Sequence, residues 1–451
     1  MFSPGRSLTL PVTQDPADLC AALFPNGNVV WFDRGFDALK GRSILGTGTR
    51  TLTASGAQGT VCVDGVRRPG RIFDSLRDQA HGAPASDEFP FGWAGWIGYE
   101  SGVAGLGLSV AEDDGDDSAF VLLDRVVVID HVAGSVTVAV SDDALTPWLA
   151  WAAETVSNAH GAAERYSTDH PVSQSGSRVV WRHSDAEYRQ LIGACHDAIR
   201  AGDVYQVCLT NLATAHSDAD PLTVALRLRR ASPSHHSGFL RIGNHHLVSS
   251  SPEQFIRLNT DGLIRTEPIK GTRPRGASAA IDELLRCELV TSDKERAENL
   301  MIVDLMRNDL ARVCTLGSVA VPRLFEVESY AQVHQLVSTI EGKLRSDLGA
   351  AEAVAACFPA GSMTGAPKLA AIDLLHRLEA GARGVYAGCF GLFACDGSAD
   401  LAMTIRSAHF SDGYCRVGSG GGITALSQPD DEIAEFHLKA DAVSRAAGLA
   451  E

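Results

Sequence analysis

Apolar and polar positions change rhythm several times along this chain, and the changes mark its elements. Apolar, β-branched runs at Phe120–Ile129 and Ser135–Val140 predict two strands joined by a short turn. Upstream, glycines alternate with aromatics in Phe89-Pro-Phe-Gly-Trp-Ala-Gly-Trp-Ile-Gly-Tyr-Glu100, the pattern of a buried strand lying close to another backbone. From Ala153 to Ser184 the chain turns polar and irregular, which predicts a linker. A helix is expected from Ser184 to Arg200, with Ser184 as cap and Glu187 three residues on. Strand-like runs follow at Val204–Ala213, Leu247–Ser251 and Gln254–Leu258, then a helix over Asp293–Asn308. Gly384–Cys395, Asp400–Phe410 and Tyr414–Gly418 read as strands joined by Asp-Gly turns, and a last helix runs from Asp430 to Ala447. Successive strands with short turns predict an α+β chain with antiparallel sheet and not a doubly wound parallel one. The expected division is an N-terminal region 1–160, a linker 161–183 and a C-terminal domain 184–451.

Composition narrows the partners. The 451 residues are 45% apolar with 44 glycines and 18 prolines, as in a turn-rich globular enzyme. A net charge of −16 argues against nucleic acid. Ten cysteines without a CxxC pair suggest neither a zinc knuckle nor a disulfide framework. No apolar run is long enough to cross a bilayer, and the first twenty residues lack a leader's apolar core. A cytoplasmic protein with no membrane contact is expected.

Several segments carry chemistry. In Glu267-Pro-Ile-Lys-Gly-Thr-Arg-Pro-Arg-Gly276, Lys270 has the surroundings of a nucleophile. An ε-amine attacks only when neutral, and burial or cationic neighbours push it that way. The same ten residues also read as a basic surface loop bent by Pro268 and Pro274. Glu298 shares a helix face with Ile302 and Leu305, where a carboxylate must be paired, protonated or metal-bound. Glu432, Glu435 and Lys439 lie beside the stripe Ile433, Phe436, Ala440, with Glu435 either in a solvated salt-bridge face or a ligand. Two such glutamates converging would suit Mg²⁺.

Val417-Gly-Ser-Gly-Gly-Gly-Ile423 offers successive N–H groups as a nest for an anion. Gly361-Ser-Met-Thr-Gly-Ala-Pro-Lys368 fails as a phosphate loop and reads as a turn before a helix, with Thr364 able to touch a ligand. His334 fits a satisfied core group or a catalyst, and Arg406 on an apolar strand needs an anion, from protein or substrate. Glu253 begins a strand and could serve as a general acid if its pKa is raised.

Taken in this order, these segments resemble the chorismate-utilising enzymes over about residues 184–449. The Phe89–Glu100 segment is similar to the accessory region of anthranilate synthase and aminodeoxychorismate synthase large subunits. The resemblance implies an α+β fold of the anthranilate synthase component I type, mostly antiparallel sheets packed on each other with helices outside. It implies that Glu298 and Glu435 hold Mg²⁺ against the ring carboxylate of chorismate. Arg406, Tyr386 and the backbone of Gly420, Gly421 and Gly422 would bind the enolpyruvyl carboxylate. Glu253 would protonate the departing 4-hydroxyl, with His334 counted among the catalytic groups. Thr272, Thr364 and Gln206 complete the substrate-binding set.

Two positions separate the branches of this family. Water-adding members carry a lysine where this chain has Gln206. Anthranilate synthases carry alanine where this chain has Lys270, and aminodeoxychorismate synthases carry lysine there. The resemblance therefore implies a Lys270 adduct, displaced by ammonia to give 4-amino-4-deoxychorismate for p-aminobenzoate and folate synthesis. Anthranilate synthase component I is the alternative, then a non-catalytic homologue. No segment resembles a glutamine amidotransferase, so ammonia is expected from a separate subunit of that kind. Ala311 stands where the family usually has glycine, and His235 and His236 replace the Pro-Tyr-like pair of the tryptophan feedback pocket.

Overall fold

The computed structural model describes residues 6–35, 41–80, 89–113, 115–172, 175–330 and 332–450. The first five residues of the stretch searched for a leader, and Ala331 beside the His334 motif, lie outside the described residues. No helix among them is long and apolar enough to cross a membrane.

Two large antiparallel sheets form the body, and each takes strands from both halves of the chain. In the first, Val29–Asp33 from the N-terminal half pairs with His236–Ile242. In the second, Gly92–Ile97 pairs with Cys389–Ala394. The boundary expected near residues 160–184 therefore divides the chain without dividing the sheets. Strand alternation sends side chains to two different layers. Val29 and Trp31 face one layer with helices Pro16–Leu23 and Pro221–Ala231, while Val30 joins Ala94, Trp96, Leu240 and Phe390 between the sheets. On the far face of the second sheet, Trp93 and Ile97 pack with Ile302, Met306 and Val354 from helices. The order is helices, sheet, sheet, helices, as expected for the fold.

The local signals hold where caps or periodicity are strong. Ser184 and Glu187 form a reciprocal capping box on helix Asp185–Ala201. Other boundaries move, each for a physical reason. The stretch 153–184 is not an irregular linker: helices Thr146–Asn158 and Ala162–Asp169 occupy much of it, burying Ala152, Val156 and Ala163. The single strand expected over 400–410 is two, Ala399–Met403 and Ser407–Ser411, which belong to different sheets. Arg406, at φ +52°, lies in the turn that carries the chain between them. The strand expected to end at Gly418 continues to Ile423, because the glycines pair in register with Val207–Thr210. Cross-strand pairing outweighs the poor strand propensity of glycine.

At Gly95 the strands come so close that an added methyl would lie 2.0 Å from the carbonyl oxygen of Ala119. Gly95→Ala is expected to destabilise the protein by about 1–3 kcal/mol or more. Urea unfolding should show a lower midpoint with an unchanged slope.

Candidate functional site

Gln206 and Cys208 project from the same face of strand Gln206–His216, opposite the glycines of Tyr414–Ile423. A methyl added at Gly422 would lie 2.5 Å from Nε2 of Gln206 and 3.3 Å from Nζ of Lys270. One added at Gly421 would lie 2.7 Å from a carboxylate oxygen of Glu432. The glycines therefore do not form a nest of left-handed turns. They form a bare strand surface that leaves room for the side chains around it. Gly418 does the same for Tyr386, whose ring would be 2.1 Å from a methyl there.

Lys270 sits on strand Ile269–Pro274, and no described protein group hydrogen-bonds its Nζ. Burial would lower its pKa, but Glu298, the Cys208 thiol, Glu253 and Glu435 outweigh burial and hold it above the ordinary lysine value. The expectation that cationic neighbours would neutralise it is thus corrected. Arg273 turns to Glu288 at 3.0 Å, and Arg275 grips Asp282 at 2.8 Å.

Glu253 is buried, and Ser362 on the turn Gly361–Met363 is among the groups that act on its carboxyl. Burial pushes its pKa up to about 7, against the pull of Ser362, Lys270 and Lys439. Such a carboxyl can donate a proton near neutral pH.

The two glutamates expected as metal ligands share the same cationic neighbours. Lys270 and Lys294 each feel both Glu298, on helix Asp293–Ala311, and Glu435, on helix Pro429–Ala446. Burial raises the pKa of Glu298, and repulsion from Glu295 and Glu432 adds to it. Burial also raises Glu432, with Glu435 adding to it. Glu435 is lowered on balance, because Lys439, 2.5 Å away, outweighs its burial. Among the described residues, no three acid, histidine or cysteine groups gather closely enough to hold a metal by themselves. Mg²⁺ needs only one or two carboxylates and fills its shell with water and substrate oxygens. Glu298 and Glu435, each under the influence of Lys270 and Lys294, are a donor set of that size.

Arg406 lies near Tyr386 and Glu435, and burial lowers its pKa. No described protein acceptor bonds its guanidinium, so an incoming anion would meet it unpaired. Gln206 is likewise incomplete, since its buried Oε1 has no partner.

The remaining expected residues have surroundings of their own. Thr272 is exposed. The hydroxyl of the fully buried Thr364 is taken by the carbonyls of Ala360 and Gly361. His334 has both ring nitrogens engaged, Nδ1 with Ser329 at 2.7 Å and Nε2 with Asp282 at 3.0 Å. None of these contacts joins it to Lys270 or Glu253.

The structure gives a place to Lys439, which bonds the carbonyl of Gly420 at 2.9 Å, and to Glu432, both noted in the sequence only beside the helix stripe, and it adds Cys208, Lys294 and Ser362. Lys439 was visible as the i+4 partner of Glu435, and Cys208 as the next residue on the face of Gln206. Ser362 gave no signal, because Glu253 lies far from it in sequence.

With this geometry in hand, the chain is found to belong to the chorismate binding enzyme family, whose sequence profile matches residues 31–445. It is 43% identical over 389 residues to an aminodeoxychorismate synthase of Streptomyces pristinaespiralis, a match covering 83% of this chain and 54% of that protein. It is 42% identical over 398 residues to the aminodeoxychorismate synthase of Streptomyces griseus, covering 87% of this chain and 55% of that one. The chain thus spans about half the length of these curated relatives. Among solved structures, anthranilate synthase component I from Streptococcus pneumoniae TIGR4 superposes with a TM-score of 0.79 at 28% identity, covering 91% of this chain and 93% of that one.

Glu253 binds its proton more tightly in the folded state, at about 7, than at its ordinary value of 4.5. Stability should therefore fall as pH rises from about 4.5 to about 7, by on the order of 3 kcal/mol from this group. Glu253→Gln should remove that part of the pH dependence in urea unfolding measured between pH 4.5 and 8.

Proposed function

We propose that this chain converts chorismate and ammonia to 4-amino-4-deoxychorismate, the branch of the family that feeds p-aminobenzoate and folate synthesis. The observation that carries this reading is Lys270, with an unbonded amine beside the Gly422 surface and under the influence of the acid Glu253. The names of the Streptomyces relatives support the same branch.

Chorismate brings two carboxylates, and the unpaired Arg406 suits one of them. Glu298 and Glu435 would hold Mg²⁺. When bound there, the ion supplies positive charge for the other carboxylate and offsets part of the negative field that keeps Lys270 protonated. Lys270 passes its proton to the Glu253 carboxylate, and its neutral amine then adds to ring carbon 2. Glu253 gives that proton to the 4-hydroxyl, which leaves as water. Ammonia attacks carbon 4, the bond from carbon 2 to Lys270 breaks, and the enolpyruvyl group stays on the product. The net reaction consumes chorismate and ammonia and releases water. A separate glutamine amidotransferase supplies the ammonia.

The solved anthranilate synthase component I supports a second reading, in which the product is an aromatic amine and pyruvate is released. Incubation with chorismate, MgCl₂ and ammonium salt separates the two. A product that retains the enolpyruvyl mass, with no pyruvate, is expected; prompt pyruvate with a fluorescent amine would refute the proposal. Lys270→Ala is expected to reduce turnover by at least about a hundredfold while chorismate binding persists. Glu298→Gln and Glu435→Gln should each weaken Mg²⁺ binding measured by calorimetry.

A further inference from the structure

The ladder that carries Lys270 is broken in one place. Strand Ile269–Pro274 pairs antiparallel with strand Val333–Lys343. Ile269 stands opposite Val337, and the peptide N–H of Ser338 donates to the carbonyl of Pro268 at 3.3 Å. Further on, Thr272, Arg273 and Pro274 stand opposite Gln335, His334 and Val333. Between Ile269 and Thr272 the first strand has two residues, Lys270 and Gly271, where its partner has only Leu336. This is a one-residue β-bulge, and Gly271 takes the left-handed backbone, φ +82°, that glycine supplies at such a bulge. A methyl added at Gly271 would lie 2.7 Å from Leu289 and 2.9 Å from Glu295, on helices Ala279–Thr291 and Asp293–Ala311.

A bulge bends its strand, sharpens the local twist and re-aims the side chain beside it. Here that side chain is Lys270, whose Nζ lies 3.3 Å from where a methyl would stand on Gly422. The extra residue also accounts for Thr272. A regular strand would put Lys270 and Thr272 on one face, and the insertion puts them on opposite faces, leaving Thr272 exposed. The strand after Glu253 repeats the device. Met403 donates its N–H to the carbonyl of Glu253 at 3.0 Å, and Gln254 stands opposite Ala402. Ile256 then stands opposite Leu401, so Phe255 is the added residue. The other irregular strand of this sheet, Ala320–Ser329, carries none of the candidate groups. Fitting a strand to its helices could be met by a bulge anywhere along it, yet these two fall directly after Glu253 and Lys270.

We propose that Gly271 is a positioning residue: the bulge it makes aims the Lys270 amine at the bare strand surface of Gly422. The inference rests on the reading of Lys270 as the nucleophile. Gly271 touches neither substrate nor reacting atoms, and it acts through the direction it gives its neighbour.

Two variants disturb the bulge in different ways. Gly271→Ala keeps the extra residue but forces a β-carbon into left-handed backbone and against Leu289 and Glu295. Deletion of Gly271 removes the extra residue and leaves every registered pair on either side available, so a regular ladder can form. Gly95→Ala is the control, a substitution at a close strand approach with no reacting group beside it. Crystal structures of both Gly271 variants should show the Lys270 Nζ displaced from the Gly422 surface by about 1 Å or more. With chorismate, MgCl₂ and ammonium salt, kcat should fall on the order of a hundredfold in both, while KM changes less than about threefold. Without ammonia, both should form less of the Lys270 adduct, read as a protein mass increased by that of chorismate less one water. Folded Gly95→Ala should keep the native kcat. A folded Gly271 variant whose Lys270 amine stays in place, or whose kcat stays within about threefold of native, overturns the proposal. Failure of the deletion variant to fold also overturns it, because the bulge would then be a requirement of the fold. If the native chain neither turns over chorismate nor forms the adduct, the reading of Lys270 as nucleophile fails, and the crystal structures still decide whether the bulge sets its place.

Discussion

The ladder that pairs Val207 with Ile423 and runs on to His216 opposite Tyr414 decides where nearly every candidate group stands. It forces a run of glycines into extended conformation and strips that stretch of side chains. One cleared face admits Gln206 and Lys270 at Gly422 and the ring of Tyr386 at Gly418, and the other admits Glu432 at Gly421. Helix Pro429–Ala446 follows directly, so the same ladder also sets the position of Glu435 and Lys439. Side chains at these glycines would collide with Lys270 and Gln206 on one face and with Glu432 on the other.

Within that space the balance of charge matters more than any single pair. Glu253, Glu298, Glu432 and Glu435 face Lys270, Lys294 and Lys439, and the shifts run in both directions. Glu253 is pushed toward neutrality because burial dominates there, while Glu435 remains ionised because Lys439 reaches it directly. Lys270 is held as a cation by its acidic neighbours. Any positive charge entering among these acids would therefore loosen the proton on the lysine. That ties the protonation of the nucleophile to what binds beside it.

Much of this could be read from the sequence, and the limits have physical causes. The capping box at Ser184, the helix carrying Glu298 and the close backbone approach at Gly95 all rest on local rules, and all appear as expected. Arg406 was recognised as needing an anion, and the structure leaves it unpaired. The local rules failed where distant pairing took over, as in the extension of the glycine strand and the split around Arg406. The influence of Ser362 on Glu253 and the neighbours of Lys270 depend on tertiary contacts that leave no periodic trace. His334 illustrates the reverse case: its buried ring is engaged by Ser329 and Asp282, as the plainer of its two readings implied.

The interlacing of the halves bears on how the polypeptide is made. Gly92–Ile97 leaves the ribosome almost three hundred residues before its partner Cys389–Ala394, and Val29–Asp33 waits about two hundred for His236–Ile242. Until then, apolar strands of the first half present unpaired edges and cannot close either sheet. Folding is governed by contacts of high sequence separation, which form slowly and expose sticky edges meanwhile. Synthesis of this chain therefore depends on shielding its early strands until the last third has emerged, and fragments cut at the midpoint inherit raw sheet edges on both sides.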